Sequence, residues 1–212
     1  MEIEYVQSCC EKLHKSMREL IRSIGDIQIG SKEQFPYGWR KAAKGRTVWR
    51  LLEEAISQNL EAKAADLGMR DFRPASSEVG VYDFSFHYDE TSPIYVNIKS
   101  AVKGGRTNKD DISKAIPLHT FMSQTEICVL LIATVEIEFI ADPHSIRLSD
   151  CYVLPVAWLP DVYVNPSNNG NLQSGKYKNI GEAVPRTTSD FLGVLEENIE
   201  IARGKRGRKL PT

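Results

Sequence analysis

The sequence predicts an α/β fold, in which helices flank a central mixed β-sheet, and two patterns lead to this class. Apolar residues recur at three- and four-residue spacing along the first 24 residues, which is typical of an amphipathic helix. After Pro74 the pattern changes to a period of two, which is typical of strands. Because helices are predicted both before and after these strands, a layered arrangement around one sheet is expected.

Length and composition favour one globular domain that spans residues 1–212. The chain is 42% hydrophobic and 26% charged, which excludes a disordered chain, a collagen-like fibre and a disulfide scaffold. The net charge is -1, so a polyanionic partner has to be bound by local basic patches. The sequence shows no secretory leader and no apolar stretch long enough to span a membrane, and none of its four cysteines has C-x2-C spacing. We therefore expect free thiols and a cytoplasmic protein.

The first two elements are helices. Residues 1–25 form the first helix, which ends near Gly25, and its apolar stripe packs either on the body of the domain or in a dimer contact. The segment from Asp26 to Lys44 is expected to be an irregular connection. A second helix runs from Arg46 or Thr47 to Gly68, with Thr47 as its candidate cap.

The strands and later helices follow from the alternation and from the turn residues between them. The expected elements are a strand at Val79–Phe86, a connection at His87–Pro93, a strand at Ile94–Ser100, a helix at Asp110–Ser123, strands at Glu126–Ile140 (possible interruption included) and Cys151–Trp158, a polar loop at Pro160–Lys178, and a helix at Ser189–Ala202.

Three polar side chains are expected to meet at one edge of this sheet. Asn97 and Lys99 lie two residues apart and therefore share a face of their strand, and Asp83 faces them if the two strands pair. Carboxylate, amide and main-chain oxygens are ligands for a hard divalent cation, and a lysine beside the cation can bind a phosphate and orient or deprotonate water. This combination indicates phosphodiester hydrolysis.

The segments GVYDFSF and YVNIKS resemble the PD-(D/E)XK nuclease superfamily, and within it most closely the type II restriction endonucleases. Asp83, Asn97 and Lys99 fall on the motif positions, with Asn97 in place of the middle acidic residue. The resemblance covers about residues 45–123. It implies a restriction endonuclease-like fold and a Mg²⁺ site formed by Asp83, Asn97, the main-chain carbonyl of Ile98 and an acidic residue of the preceding helix. Glu53 or Glu54 holds that helix position, and we favour Glu53; Glu78 is a further candidate.

The resemblance also implies an activity and partners. It suggests a homodimer, in a bacterial or archaeal cytoplasm, that hydrolyses double-stranded DNA at a short palindromic site, leaves 5′-phosphate ends and has a companion DNA methyltransferase. Two rival functions stay open: a repair, phage or structure-selective nuclease of the same fold, and a DNA-binding module whose catalytic site has decayed.

DNA contacts are expected from two basic clusters, at residues 40–50 and 99–109, and from a polar loop at Asn165–Lys178. Cations contact phosphates and amides reach base edges. The candidate DNA-binding residues are Lys103, Arg106, Lys109, Arg46, Asn168, Asn169, Asn171, Gln173, Lys176 and Arg186. Residues 203–212 form a basic tail with an Arg-Gly-Arg core similar to an AT-hook, which either enters a groove or is a disordered charged end.

Overall fold

The computed structural model describes residues 1–39, 44–76, 80–89, 92–105, 109–141, 144–167 and 170–207. Its helices are α1 (Glu2–Ile24), α2 (Lys44–Lys63), α3 (Ala115–Met122) and α4 (Thr188–Gly207). Its strands are β1 (Asp26–Gly30), β2 (Arg70–Pro74), β3 (Phe84–His87), β4 (Ile94–Val102), β5 (Asp110–Lys114), β6 (Val129–Ile140), β7 (His144–Pro155), β8 (Tyr163–Asn165) and β9 (Asn171–Ser174).

Six of the strands form a mixed sheet in the order β1-β7-β6-β4-β3-β2. Strands β4 and β6 run parallel, whereas the other neighbours in this sheet are antiparallel. Strand β6 lies between β4 and β7, and consequently every side chain from Val129 to Val135 is buried. The predicted central mixed sheet with flanking helices is confirmed. A second, antiparallel sheet has the order β5-β9-β8.

Helix α1 packs against β7 through its predicted apolar stripe. Leu13, Met17 and Leu20 are almost completely buried there, and the helix ends at Gly25, whose φ of 69° is readily adopted by glycine. Of the two alternatives for this stripe, packing on the body of the protein is the one observed. A dimer would have to use another surface.

Both faces of the large sheet are covered. On one face, Phe86 contacts Tyr88, which approaches Ser16 of α1. On the other face, Tyr95 of β4 contacts Phe121 of α3, and α3 packs beside α4. Since side chains alternate along a strand, Asn97 and Lys99 share the α3 face with Tyr95.

Several predicted boundaries before β4 were wrong. Residues 26–30 form an edge strand, where an irregular connection was expected, and β2 was not predicted. Helix α2 begins at Lys44, so Thr47 lies within it and is not its cap. The predicted strand at Val79–Phe86 begins only at Phe84, and Val79 lies outside the described residues.

The helix predicted at Asp110–Ser123 was also wrong in its first half. Residues 110–114 form β5, and only Ala115–Met122 are helical. Pro117 is tolerated because it lies in the first helical turn, where an N–H has no partner inside the helix. Strand β5 is stabilised by pairing with β9, a contact that the local sequence does not reveal.

The polar loop predicted at Pro160–Lys178 contains strands β8 and β9, so that prediction was wrong as well. Val164 and Leu172 of this hairpin are buried, and Gly170 at its turn has a φ of 72°. Strand β6 has no interruption, and β7 starts earlier than predicted, at His144.

The C-terminal region differs from the expected tail, because α4 continues through residues 203–207. Residues 208–212, and with them part of the Arg-Gly-Arg core, lie outside the described residues. None of the helices in the described part of the chain has the length and apolar character that crossing a membrane requires.

Candidate functional site

The candidate site is built around the end of β3, where its pairing with β4 stops. Phe84 pairs with Val96, so the residue opposite Ile98 would be Tyr82, which is outside the strand. The Ile98 main-chain N–H would therefore lack its ladder partner. It donates instead to the Oδ2 atom of Asp83, at 2.5 Å.

The main chain of Asp83 is fixed from both sides. Its N–H donates to the carbonyl of Val96 at 2.8 Å, and its carbonyl accepts from the N–H of Ala75 at 2.7 Å. With the side-chain bond from Ile98, three hydrogen bonds hold this residue. The Asp83 carboxylate is thus held in place while its residue stays exposed to solvent.

The carbonyl of Ile98 belongs to the same edge. A residue on an antiparallel strand presents its N–H and its C=O to the same neighbour, so both groups of Ile98 face the position that β3 has left. Asp83 and Ile98 also line one cleft, of about 450 Å³, between this edge and helix α2. The cleft therefore holds a carboxylate with a main-chain carbonyl beside it.

Helix α2 provides the opposite wall of the cleft. Trp49, Glu53 and Ser57 follow each other at four-residue spacing and line it, together with Arg50 and Glu54. Glu53 is half-buried, whereas Glu54 is exposed and accepts a hydrogen bond of 2.7 Å from the Nε2 of Gln58. Of the two predicted acids, Glu53 is the one that interacts electrostatically with Asp83 and Lys99.

The electrostatics of the site show three ionisable groups that act on one another, Glu53, Asp83 and Lys99. Burial, together with repulsion from Asp83, raises the pKa of Glu53 to about 7. Burial also raises the pKa of Asp83, although the Ile98 N–H and the Lys99 ammonium act in the opposite direction. For Lys99 burial lowers the pKa, and Glu53 and Asp83 oppose this effect. The structure thus brings Glu53, Asp83 and Lys99 together.

Asn97 lies on the same face of β4 as Lys99, but its amide has a main-chain partner. The Nδ2 atom of Asn97 donates to the carbonyl of Val81 at 3.2 Å. This bond fastens the segment that leads into Asp83. Glu78, the further candidate acid, lies outside the described residues.

The donor set suits a hard cation such as Mg²⁺. Asp83, Glu53 and the carbonyl of Ile98 offer oxygen atoms only, which is what this ion prefers. Asp83 and Glu53 repel each other electrostatically, and a cation bound near both would offset this repulsion. Within the described ranges, no three His, Cys, Asp or Glu side chains form a ready metal site, so the main-chain carbonyl and water would have to complete the coordination.

The predicted phosphate-binding cations mostly have partners within the protein. Lys103 forms an ion pair with Glu138, and Lys176 forms one with Glu182. The Nζ of Lys109 lies 4.1 Å from the ring centre of Tyr163. Contact between Lys103 or Lys176 and DNA would therefore require the existing pair to open.

Arg186, another of the predicted DNA-binding residues, also has partners within the protein. One guanidinium nitrogen of Arg186 donates to the carbonyls of Ala157 and Leu159, at 3.3 and 2.9 Å. Arg106 lies outside the described residues, as does the side chain of Arg46. The geometry therefore makes Arg186 a brace between the chain before α4 and the turn after β7.

The predicted base-reading amides lie on the small sheet. Asn171 and Gln173 both donate to the carboxylate of Asp111, at 2.9 and 2.6 Å. Asn168 and Asn169 fall outside the described residues. The carboxylate of Asp111 therefore occupies the amide donors that were predicted to bond to DNA bases.

The start of α4 is occupied by the protein's own groups. The N–H and hydroxyl of Thr188 both donate to Glu2, at 2.6 and 2.7 Å. The hydroxyl of Thr187 donates to Asp190 at 2.7 Å and accepts from the N–H of that residue at 3.1 Å. These contacts provide hydrogen-bond acceptors for N–H groups of the first turn of α4, and the bonds to Glu2 connect this turn to α1.

Sequence reasoning missed Trp49, Asp110 and Asp111, and it placed Arg50 only within a basic cluster. Arg50 and Trp49 line the cleft, and their spacing of three and four residues from Glu53 was the available signal. Asp110 and Asp111 act electrostatically on Lys99, but their position in a predicted helix gave no hint of this.

Comparisons with known proteins bear on the fold. Neither a family model nor a curated protein sequence matches the chain. Among solved structures, the NlaIV restriction endonuclease is similar, with a TM-score of 0.51 over 97% of this chain and 91% of that one, at 11% sequence identity. At this identity the likeness concerns the fold, and it confirms the predicted restriction endonuclease-like architecture.

Proposed function

We propose that the protein is a type II restriction endonuclease that hydrolyses phosphodiester bonds in double-stranded DNA at a short palindromic site with the help of Mg²⁺. One observation carries this proposal: the Asp83 carboxylate, anchored by the N–H of Ile98, shares a cleft with Glu53 and interacts with Lys99. The likeness in fold to the NlaIV restriction endonuclease supports it.

The roles of the residues follow from their chemistry. Asp83, Glu53, the carbonyl of Ile98 and Asn97 would hold Mg²⁺. Since the Nδ2 of Asn97 donates to the carbonyl of Val81, the Oδ1 of Asn97 is the atom that would coordinate the ion. Bound Mg²⁺ supplies positive charge that stabilises the negative charge developing on the phosphate. The N–H donors of Lys99 hold the attacking water and the phosphate in line. Water then bonds to phosphorus, the bond to the 3′ oxygen breaks, and the products are a 5′-phosphate and a 3′-hydroxyl.

The proposal includes the partners that such an enzyme needs. A palindromic site is matched by a symmetric homodimer. Host DNA would be protected by a companion methyltransferase that acts on the same sequence. Because the α1 stripe is buried, the dimer contact would use another surface.

The test is a digest of sequenced plasmid and linear phage DNA with Mg²⁺ or with EDTA, using wild-type protein and Lys99→Ala. We expect discrete fragments with 5′-phosphate ends, made only with Mg²⁺ and wild-type protein. Lys99→Ala should bind the same fragments without cutting them. Wild-type protein that binds DNA but never cuts it, with or without Mg²⁺, would indicate a DNA-binding module instead.

One observation favours a second candidate, a structure-selective nuclease of the same fold. Asn171 and Gln173, the amides predicted to contact bases, are engaged by Asp111. A nuclease that reads DNA shape has no need for them. A smear from linear duplex, or cleavage confined to branched substrates, would identify this function.

A further inference from the structure

The wall of the cleft formed by α2 contains a cation that the proposed function has not used. Arg50 is exposed and lines the cleft with Glu53 and Asp83. Its guanidinium carbon lies 4.5 Å from the ring centre of Trp49, which is half-buried on the same wall. The arginine therefore lies over an aromatic ring at the mouth of the candidate site.

Arg50 differs from three other cations, Lys103, Lys176 and Arg203, in how it is held. Lys103, Lys176 and Arg203 each form an ion pair with a glutamate. Arg50 acts on Glu53 electrostatically, yet no ion pair at contact distance joins it to a carboxylate of a described residue. Stacking leaves the N–H donors at the rim of a guanidinium open, and an ion pair would occupy them.

The cleft carries several negative charges, so the binding of a phosphate there requires cationic hydrogen-bond donors. Glu53, Glu54 and Asp83 all line it, and a phosphate that enters would be repelled by each of them. Lys99 belongs to β4, so its charge does not come from the α2 wall of the cleft. A second cation on the helix side would hold the phosphate between two positive groups.

We propose that Arg50 binds the non-bridging oxygens of a phosphate in the cleaved strand, and that Trp49 is a positioning residue that fixes the guanidinium plane by stacking. The planar guanidinium can donate two parallel hydrogen bonds to one phosphate, and a side chain already held on a ring loses less freedom when it does so. This inference rests on the proposed function, since it names the group that binds the substrate's phosphate.

The first experiment measures single-turnover cleavage and substrate affinity of four variants. We expect Arg50→Ala to lose about 100-fold or more in kcat/KM, and Arg50→Lys to recover only part of it, because a lysine neither stacks nor donates bidentately. Trp49→Leu should lose roughly tenfold with Arg50 unchanged. Arg22→Ala is the control, because Arg22 is exposed and far from the cleft. Its neighbour Ser23 accepts a hydrogen bond from Lys63, and Lys63 lies about 20 Å from Arg50 along α2.

Chemical rescue separates binding from a structural role. Added guanidinium chloride, well below denaturing concentration, should raise the cleavage rate of Arg50→Ala but not that of Arg22→Ala or the wild type. Because Arg50 is exposed, its alanine variant should also keep the wild-type Tm. Wild-type rates and affinity in Arg50→Ala, or a defect that guanidinium does not relieve, would overturn the assignment.

A binding measurement keeps this inference distinguishable from the proposed function. The probe is the 5′-phosphorylated thymidine dinucleotide, and the readout is tryptophan fluorescence. Trp39 and Trp158 donate to main-chain carbonyls away from the cleft, so a change on binding should come from Trp49 and disappear in Trp49→Phe. Binding that is lost in Arg50→Ala supports the phosphate site even if the wild type cuts no DNA; binding that Arg50→Ala retains overturns it.

Discussion

Asp83 and Ile98 are joined by a hydrogen bond of 2.5 Å from the main-chain N–H of Ile98 to Oδ2 of Asp83, at the point where β3 ends. The carboxylate replaces the carbonyl that a longer strand would have supplied. One side chain thus completes the hydrogen bonding of β4 at this point, and the same residue lines the cleft. Asp83 accordingly has a structural task as well as its proposed catalytic one.

The two tasks can be separated by substitution. Asp83→Asn keeps an oxygen that can accept from Ile98 but removes the negative charge, so we expect cleavage to fall by about 100-fold or more with a nearly unchanged Tm. Asp83→Ala removes both, and it should in addition lower the free energy of unfolding by about 1 kcal/mol. Single-turnover cleavage and urea denaturation measure the two effects. Equal stability of both variants would show that the bond to Ile98 contributes nothing.

Glu53 and Glu54 provide a matched pair on one helix. Glu53→Gln should reduce cleavage strongly and weaken the dependence of the rate on Mg²⁺ concentration, because the carboxylate of Glu53 interacts electrostatically with Asp83 and Lys99. Glu54→Gln should leave cleavage close to the wild-type rate, since Glu54 is exposed and bonds to Gln58. Steady-state rates over a Mg²⁺ titration test both variants. A larger effect at Glu54 would reverse the assignment.

Thr134 lies fully buried in β6, in register with Lys99, and its hydroxyl has no hydrogen-bond partner among the described residues. Thr134→Val should therefore keep or raise the free energy of unfolding, by up to about 1 kcal/mol, because an unbonded hydroxyl is costly to bury. Ser174→Ala is the contrast. Ser174 is equally buried, but its hydroxyl donates to Asp161, and its loss should cost about 1–3 kcal/mol. Urea denaturation of both variants decides the comparison.

The four cysteines are free, and all of them have raised pKa values. Burial, as the largest cause, raises the pKa of Cys10, Cys128 and Cys151 to about 12. Few thiolates exist at about pH 8, so native protein should react slowly with iodoacetamide and unfolded protein quickly. As pH rises above about 9, the unfolded chain loses these protons first, so the free energy of unfolding should fall. Mass spectrometry counts the labels; rapid labelling of native Cys128 would contradict the prediction.

Local periodicity predicted the elements whose stability comes from a long apolar face. The stripe of α1 and the alternation of β4 identified both elements, and the alternation also put Asn97 and Lys99 on one face. The short strands β1 and β5 were missed, because five residues are too few for an alternating pattern to be distinctive, and both strands are stabilised by distant partners.

The same physical reason limited the prediction of the site. Strand pairing led us to expect Asp83 close to Lys99, whereas the resemblance to the PD-(D/E)XK nucleases led us to expect Glu53 beside them. The partners of the DNA-binding candidates could not, because the pairing of Lys103 with Glu138 or of Asn171 with Asp111 depends on how separate strands are aligned. The hairpin that carries Asn171 did leave a signal, the Asn-Gly pair at 169–170 between the apolar residues Val164 and Leu172.

The contact of Asp111 with Asn171 and Gln173 has a consequence for selectivity. A nucleobase that approached these amides would have to compete with a carboxylate already bonded to both, so recognition would be an exchange of partners and not a gain of new ones. Only the difference between two bonded states would then contribute to affinity. A base whose acceptors match the two amides poorly would not displace the carboxylate of Asp111. The protein would then reject such a base because the bonds from Asn171 and Gln173 to Asp111 stay closed.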